Sequence, residues 1–190
     1  MSTTPWHAWQ RLKQRGCRLQ TVIDVGASNG MWTRETMREF PGLQWLMIEG
    51  LPDHEPHLKE TVAAFPNTRY ELVLAGPSDG EGHLVKTGDI FGGAATARAV
   101  PGMTIPRPMR SVDSMIAQHR LSGPYFLKLD THGFELEILD GARETLRQAS
   151  LVLIETYAFR LRDGAPRFHE MVAHMESLGF HCTDLIEPVW

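Results

Sequence analysis

The sequence predicts an α/β fold, a mostly parallel sheet with helices on both faces, and three observations predict it. Short apolar, β-branched runs alternate along the chain with stretches of helical periodicity. The first of these runs ends in a glycine-rich turn, Asp24-Val25-Gly26-Ala27-Ser28-Asn29-Gly30, that opens onto a helix. The length, 190 residues, suits one domain of ~100 to 200 residues rather than two separate cores.

Each element follows from local pattern. Pro5, then Trp6, Trp9 and Leu12 at helical spacing, predict an amphipathic helix over residues 5 to 15 that stops before Gly16, within an N-terminal segment 1 to 20. Thr21 to Val25 reads as a strand, residues 32 to 40 as a helix, Leu43 to Ile48 as the second strand, Asp53 to Ala64 as a helix and Tyr70 to Leu74 as the third strand. Between 76 and 108 six glycines interrupt the alternation, which predicts an insert beside the site with a hairpin around His83 to Lys86. Regularity returns with a helix near Val112 to His119, the strand Tyr125 to Leu129, a helix from Phe134 to Arg147 and the strand Leu151 to Ile154. Phe168, Met171, Val172, Met175 and Leu178 form one stripe of a last helix, and a strand is expected at Phe180 to Ile186. The whole chain, 1 to 190, is expected to be a single domain.

Charge and cysteine usage exclude several partners. The formal charge of −4 supplies no general attraction to phosphate backbones or anionic lipid, so neither nucleic acid nor a membrane is expected. Cys17 and Cys182 form no CxxC and no disulfide framework. The N-terminus lacks the basic-then-apolar order of a signal peptide, and no apolar run is long enough to span a bilayer, so a cytoplasmic location is expected.

Three groups of residues can carry chemistry. In the first turn, glycines let backbone approach a ligand at the helix start. The dinucleotide pattern GxGxxG would need glycine at 28 and 31, where Ser28 and Met31 stand, which disfavours an NAD-dependent oxidoreductase. Asp24-x-Gly26-x-x-x-Gly30 matches instead the loop that holds the amino-acid part of S-adenosylmethionine; a tight turn without a ligand is the bland alternative. Glu49 ends the second strand 23 residues after Gly26, close to the ~20-residue spacing at which an acid grips ribose hydroxyls, or it is a solvated strand-end acid. In the third group, Leu127-Lys128-Leu129-Asp130-Thr131-His132-Gly133-Phe134-Glu135, a buried strand delivers Asp130 and His132 to the sheet edge where open parallel sheets bind ligands. His132 suits a general base, with Asp130 orienting it or meeting a cofactor ammonium; the two can equally cap a helix and shape a turn. Asp130, His132 and Glu155 offer the mixed donors of a divalent-metal site, or acceptors for substrate hydroxyls. His54 and His57 read as solvated residues of a surface helix. Phe91, Gly92, Gly93 and Tyr157 are candidate walls of an acceptor pocket.

With these blocks in order, the chain resembles the FkbM-like family of S-adenosylmethionine-dependent methyltransferases. The resemblance rests on Val22 to Gly30, Leu46 to Leu51 and Leu127 to Ala142, with weaker matches at Gly92-Gly93-Ala94 and Ser111 to Ser114. It implies a Rossmann-like class I methyltransferase fold with sheet order 3-2-1-4-5-7-6. It also implies that Asp24, Gly26, Ala27, Ser28, Asn29 and Gly30 surround the methionine part of S-adenosyl-L-methionine, that Glu49 holds the ribose, and that Ser78 and Asp79 stand near the adenine. The implied activity is O-methylation of a small hydroxylated acceptor, such as a sugar unit or a secondary metabolite. A binding module that keeps the cofactor pocket without turnover is the alternative. Family members continue past a motif like Glu187-Pro188-Val189-Trp190 into a final antiparallel strand, which has no counterpart here. An open sheet edge is therefore expected, with association into a homo-oligomer or a chain cut short.

Overall fold

Period-two alternation in the central strands puts apolar side chains on both faces of one sheet, and helices cover each face. The computed structural model describes residues 4–85, 93–96 and 99–187. Pro5 stands in the first turn of α1 (Pro5–Gln14), where its fixed φ suits the helix, and Trp9 of that helix is buried. β1 (Thr21–Val25), α2 (Met31–Thr36) and β2 (Gln44–Ile48) follow, then a 3-10 turn at Pro52–His54, α3 (Glu55–Ala64) and β3 (Thr68–Glu71).

Residues 74 to 110 build a second sheet. β4 (Leu74–Ala75), β5 (Gly80–Val85), β6 (Ala94–Thr96) and β7 (Thr104–Arg110) lie in the order β4-β7-β5-β6, with β5 antiparallel to both of its neighbours. The expected hairpin is thus part of a larger sheet; its Lys86 lies outside the described residues, as do Phe91 and Gly92. The chain returns through α4 (Val112–His119), β8 (Tyr125–Leu129), α5 (Glu135–Asp140), α6 (Arg143–Leu146), β9 (Ala149–Ile154) and α7 (Phe168–Ser177).

The main sheet runs β3-β2-β1-β8-β9 and is parallel throughout. Ile23, Val25, Leu46, Ile48, Leu127 and Leu129 face one core with α4, α5 and α7, whereas Val22, Trp45 and Phe126 face the other with Trp9 and Met37. Full burial of each such side chain contributes about 1.5–3 kcal/mol, which makes the β1–β2–β8 centre the rigid base of the site. No helix among the described residues is long and apolar enough to cross a membrane.

Two expectations are corrected. The helix from Phe134 to Arg147 breaks at Gly141, where a Cβ would stand 2.0 Å from the carbonyl oxygen of Gly76. The Asp113 carboxylate restarts it, accepting the backbone N–H groups of Glu144 and Thr145 at 2.9 Å each. The strand at Phe180 to Ile186 does not form: this segment is irregular, Asp184 pairs with Arg11 of α1, and Ile186 packs on the Trp9 side of the sheet. That tether holds the segment against α1 instead of along β9, and among the described residues the sheet ends at β9.

Candidate active site

A cleft of about 280 Å³ opens where β1, β2, β8 and β9 end, and Leu74, Leu84 and Ala95 of the second sheet form its apolar side. Its polar side is built by three turns. After β1, the N–H groups of Gly26 and Ala27 both donate to the Ile48 carbonyl at 3.0 and 3.1 Å, which folds the turn across the end of β2. Gly26 has φ +75°, and a Cβ there would meet the Asp130 carbonyl oxygen at 1.9 Å, so only glycine lets the β1 and β8 turns close together. Ser28 is also left-handed, at φ +48°, and its N–H donates to Glu49 Oε2 at 2.7 Å.

Glu49 terminates β2 and is nearly buried. Its Oε1 accepts the Leu51 N–H at 2.8 Å, so each carboxylate oxygen is engaged once and each keeps a lone pair for a ligand hydroxyl. His54 also lines the cleft, with Nε2 3.3 Å from Ser28 Oγ. The sequence reading placed it in solvent, yet it is 3 % exposed, because α3 begins only at Glu55 and leaves His54 in the 3-10 turn that folds over the cleft. His57, one turn into α3, is exposed as expected. The short distance in sequence from Glu49 to His54 was the available signal.

Asp24, Ala27, Asn29 and Gly30 support the turn from beneath and do not line the cleft. Asp24 is fully buried, accepts the Thr33 hydroxyl at 2.6 Å and lies 2.9 Å from Lys128 Nζ. Asn29 Oδ1 accepts the Met31 N–H at 3.0 Å, and Gly30, at φ +74°, caps α2. Ser78 and Asp79 are exposed and stand outside the cleft lining. Asp79 accepts the Ser114 hydroxyl at 2.7 Å and the Ser111 N–H at 2.9 Å, which anchors the start of α4. Those two hydrogen bonds hold its carboxyl below the usual carboxylate range.

The β8 turn is the chemically richest wall. His132 has φ +55° and Gly133 φ +100°, and the buried Glu135 holds this turn by accepting the N–H groups of Thr131 and Gly133 at 3.3 and 3.0 Å. His132 Nε2 lies 3.5 Å from Glu155 Oε2 and 3.8 Å from Asp130 Oδ1. Ligand atoms of all three residues fall within 4.8 Å of one another, so the ends of β8 and β9 bring them together. Lys128 Nζ stands 3.4 Å from Asp130 Oδ2, already supplying a cation to that carboxylate. Burial pushes the Glu155 carboxyl above its ordinary range; the hydrogen bond from Tyr157 opposes this and the nearby Asp130 charge adds to it. Burial also drives the Tyr157 phenol far up, with Glu155 contributing.

A parallel sheet in this order, with a glycine turn after β1 and an acid after β2, is a Rossmann-like fold, consistent with a methyltransferase of class I. The chain belongs to the methyltransferase FkbM domain family, whose model matches residues 24–182, and it is a methyltransferase by that membership. No curated protein matches it.

Proposed function

We propose that the protein is an S-adenosylmethionine-dependent O-methyltransferase acting on a hydroxyl of a small cytoplasmic acceptor, a sugar unit or a secondary metabolite. The observation that carries this reading is one cleft holding both Glu49, past the end of β2 with lone pairs free for a diol, and His132, past the end of β8 on the other side of β1. The residues present suit the cofactor: Gly26 and Ser28 would border its methionine part and Glu49 its ribose. When bound, it supplies an electrophilic methyl group, and transfer forms a C–O bond while the electron pair of the broken C–S bond stays on sulfur. His132 takes the acceptor's hydroxyl proton as the oxygen becomes the nucleophile, and later returns it to solvent. The apolar side from Leu74, Leu84 and Ala95 excludes water from the reacting groups. We assign the proton transfer to His132, set between the Asp130 and Glu155 carboxylates, and invoke no metal.

Calorimetric titration with S-adenosylhomocysteine tests the cofactor assignment. Glu49→Ala should bind about tenfold to hundredfold more weakly than wild type, the cost of losing hydrogen bonds to a charged group. Equal affinity in the two proteins, or no binding by folded wild type, would remove the cofactor reading. Asp79 serves as the contrast. Asp79→Ala should lose about 0.5–1 kcal/mol of stability in chemical denaturation, the low part of a cap's range because the carboxylate is half in solvent, and keep full affinity for S-adenosylhomocysteine. Weaker binding at unchanged fold would place Asp79 at the adenine after all.

A further inference from the structure

We infer that Glu155, with Tyr157 holding it, is the residue that positions His132 and balances the charge His132 gains; this rests on the proposed methyl transfer. Asp130, two residues before His132, looks like the natural orienting carboxylate, but the tertiary structure gives it another partner. Lys128 Nζ lies 3.4 Å from Asp130 Oδ2, and Lys128 is itself only 6 % exposed, so the Asp130 charge is offset from inside the sheet. No such cation faces Glu155 among the described residues. Its Oε2 accepts the Tyr157 hydroxyl at 2.7 Å and stands closer to His132 Nε2 than Asp130 does.

The groups that bear on His132 are therefore Lys128 from β8, Asp130 from the turn after it, Glu155 and Tyr157 from beyond the end of β9, Glu135 from α5, and Arg162. The last two act on the backbone: Glu135 accepts N–H groups of the turn, and the Arg162 guanidinium donates to the Gly133 carbonyl while stacking over Phe134. Among the described residues, only Glu155 presents the imidazole with a carboxylate that is not already paired with Lys or Arg. With Nε2 turned to the carboxylates, Nδ1 is the atom left to accept the hydroxyl proton, and the positive charge that then spreads over the ring lies against Glu155. The proton passes from the acceptor oxygen to Nδ1 and on to solvent; Glu155 itself exchanges none.

The test needs no acceptor. Nitrogen-15 histidine spectra of wild type, Glu155→Gln, Asp130→Asn and Tyr157→Phe are followed against pH with S-adenosylhomocysteine bound and without it, His132 being assigned from a His132→Asn variant. The midpoint of the His132 transition should fall in Glu155→Gln by about half a pH unit or more, and by less in Asp130→Asn. Tyr157→Phe should move it the same way by a smaller amount, since loss of the phenol's hydrogen bond makes Glu155 hold its own proton to higher pH. This variant decides the matter if Glu155→Gln does not fold. A midpoint unchanged in Glu155→Gln and Tyr157→Phe, or moved most in Asp130→Asn, overturns the assignment. Binding of S-adenosylhomocysteine is read in the same samples. Its absence would overturn the methyltransferase cofactor reading, while binding with an unmoved midpoint would overturn only the role of Glu155.

Discussion

Lys128→Met is expected to cost about 3–5 kcal/mol of folding stability, the loss typical of removing one partner from a buried ion pair. Lys128 and Asp24 sit opposite each other in the β1–β8 register, on the face of the sheet that carries Val22 and Phe126. Their side chains are 6 % and 0 % exposed, so with the ammonium gone the Asp24 charge would keep, among the described residues, only the Thr33 hydroxyl. Lys128 Nζ also donates to the Gly26 carbonyl at 2.9 Å, which ties the glycine turn after β1 to the centre of the sheet. Urea denaturation of Lys128→Met beside the double variant Lys128→Met/Asp24→Leu checks this: the double variant should recover much of the loss, because two apolar groups leave no stranded charge. A single-variant cost below about 1 kcal/mol would show that water reaches Asp24. Burial opposes the Lys128 charge, yet the Asp24 and Asp130 carboxylates outweigh it and hold the ammonium above the ordinary lysine range. Because the folded value is the higher one, the stabilisation is complete below the unfolded value of about 10.4 and is lost only as pH climbs through the folded value.

His132→Ala should lower methyl transfer by about 10²–10⁴-fold, the usual worth of a positioned general base, and leave S-adenosylhomocysteine affinity unchanged. The check is transfer of labelled methyl to a panel of sugars and hydroxylated metabolites, run with wild type and variant on whichever acceptor responds. Loss of transfer with intact cofactor binding assigns His132 to the chemical step. Equal rates would make His132 a turn residue, in keeping with its left-handed backbone. A folded wild type that binds S-adenosylhomocysteine and transfers to nothing on the panel would favour a binding module without turnover.

The strands were legible because they are buried on both faces, and a strand covered on both sides reads as a mostly apolar run, here interrupted by the paired Asp24 and Lys128: Thr21–Val25 and Tyr125–Leu129 match their sequence boundaries to the residue. The glycine turn after β1 was legible for a related reason. Its glycines stand where a positive φ is required, at Gly26 and Gly30, and a local backbone demand leaves a local mark. Helix lengths were less visible, since the break at Gly141 comes from the Gly76 backbone and the restart from Asp113, both distant in sequence. The Phe180 to Ile186 segment has the composition of a strand, but pairing with Arg11 and packing near Trp9 took it elsewhere.

For the site, local pattern in the chain already named the residues at the strand ends, Gly26, Ser28, Glu49, Asp130 and His132, with Glu155 as a candidate beside them, and all of them line the cleft. These follow from strand order and from position at the carboxyl end of a strand, which local pattern carries. Only the tertiary structure decided how the residues are paired. It gave Lys128 to Asp24 and Asp130, left Glu155 facing His132, buried His54 and bonded Asp79 to the start of α4. The physical reason is that an ion pair or a hydrogen bond depends on ångström-scale distances set by sheet register and loop packing, and charge partners leave no periodic trace along the chain.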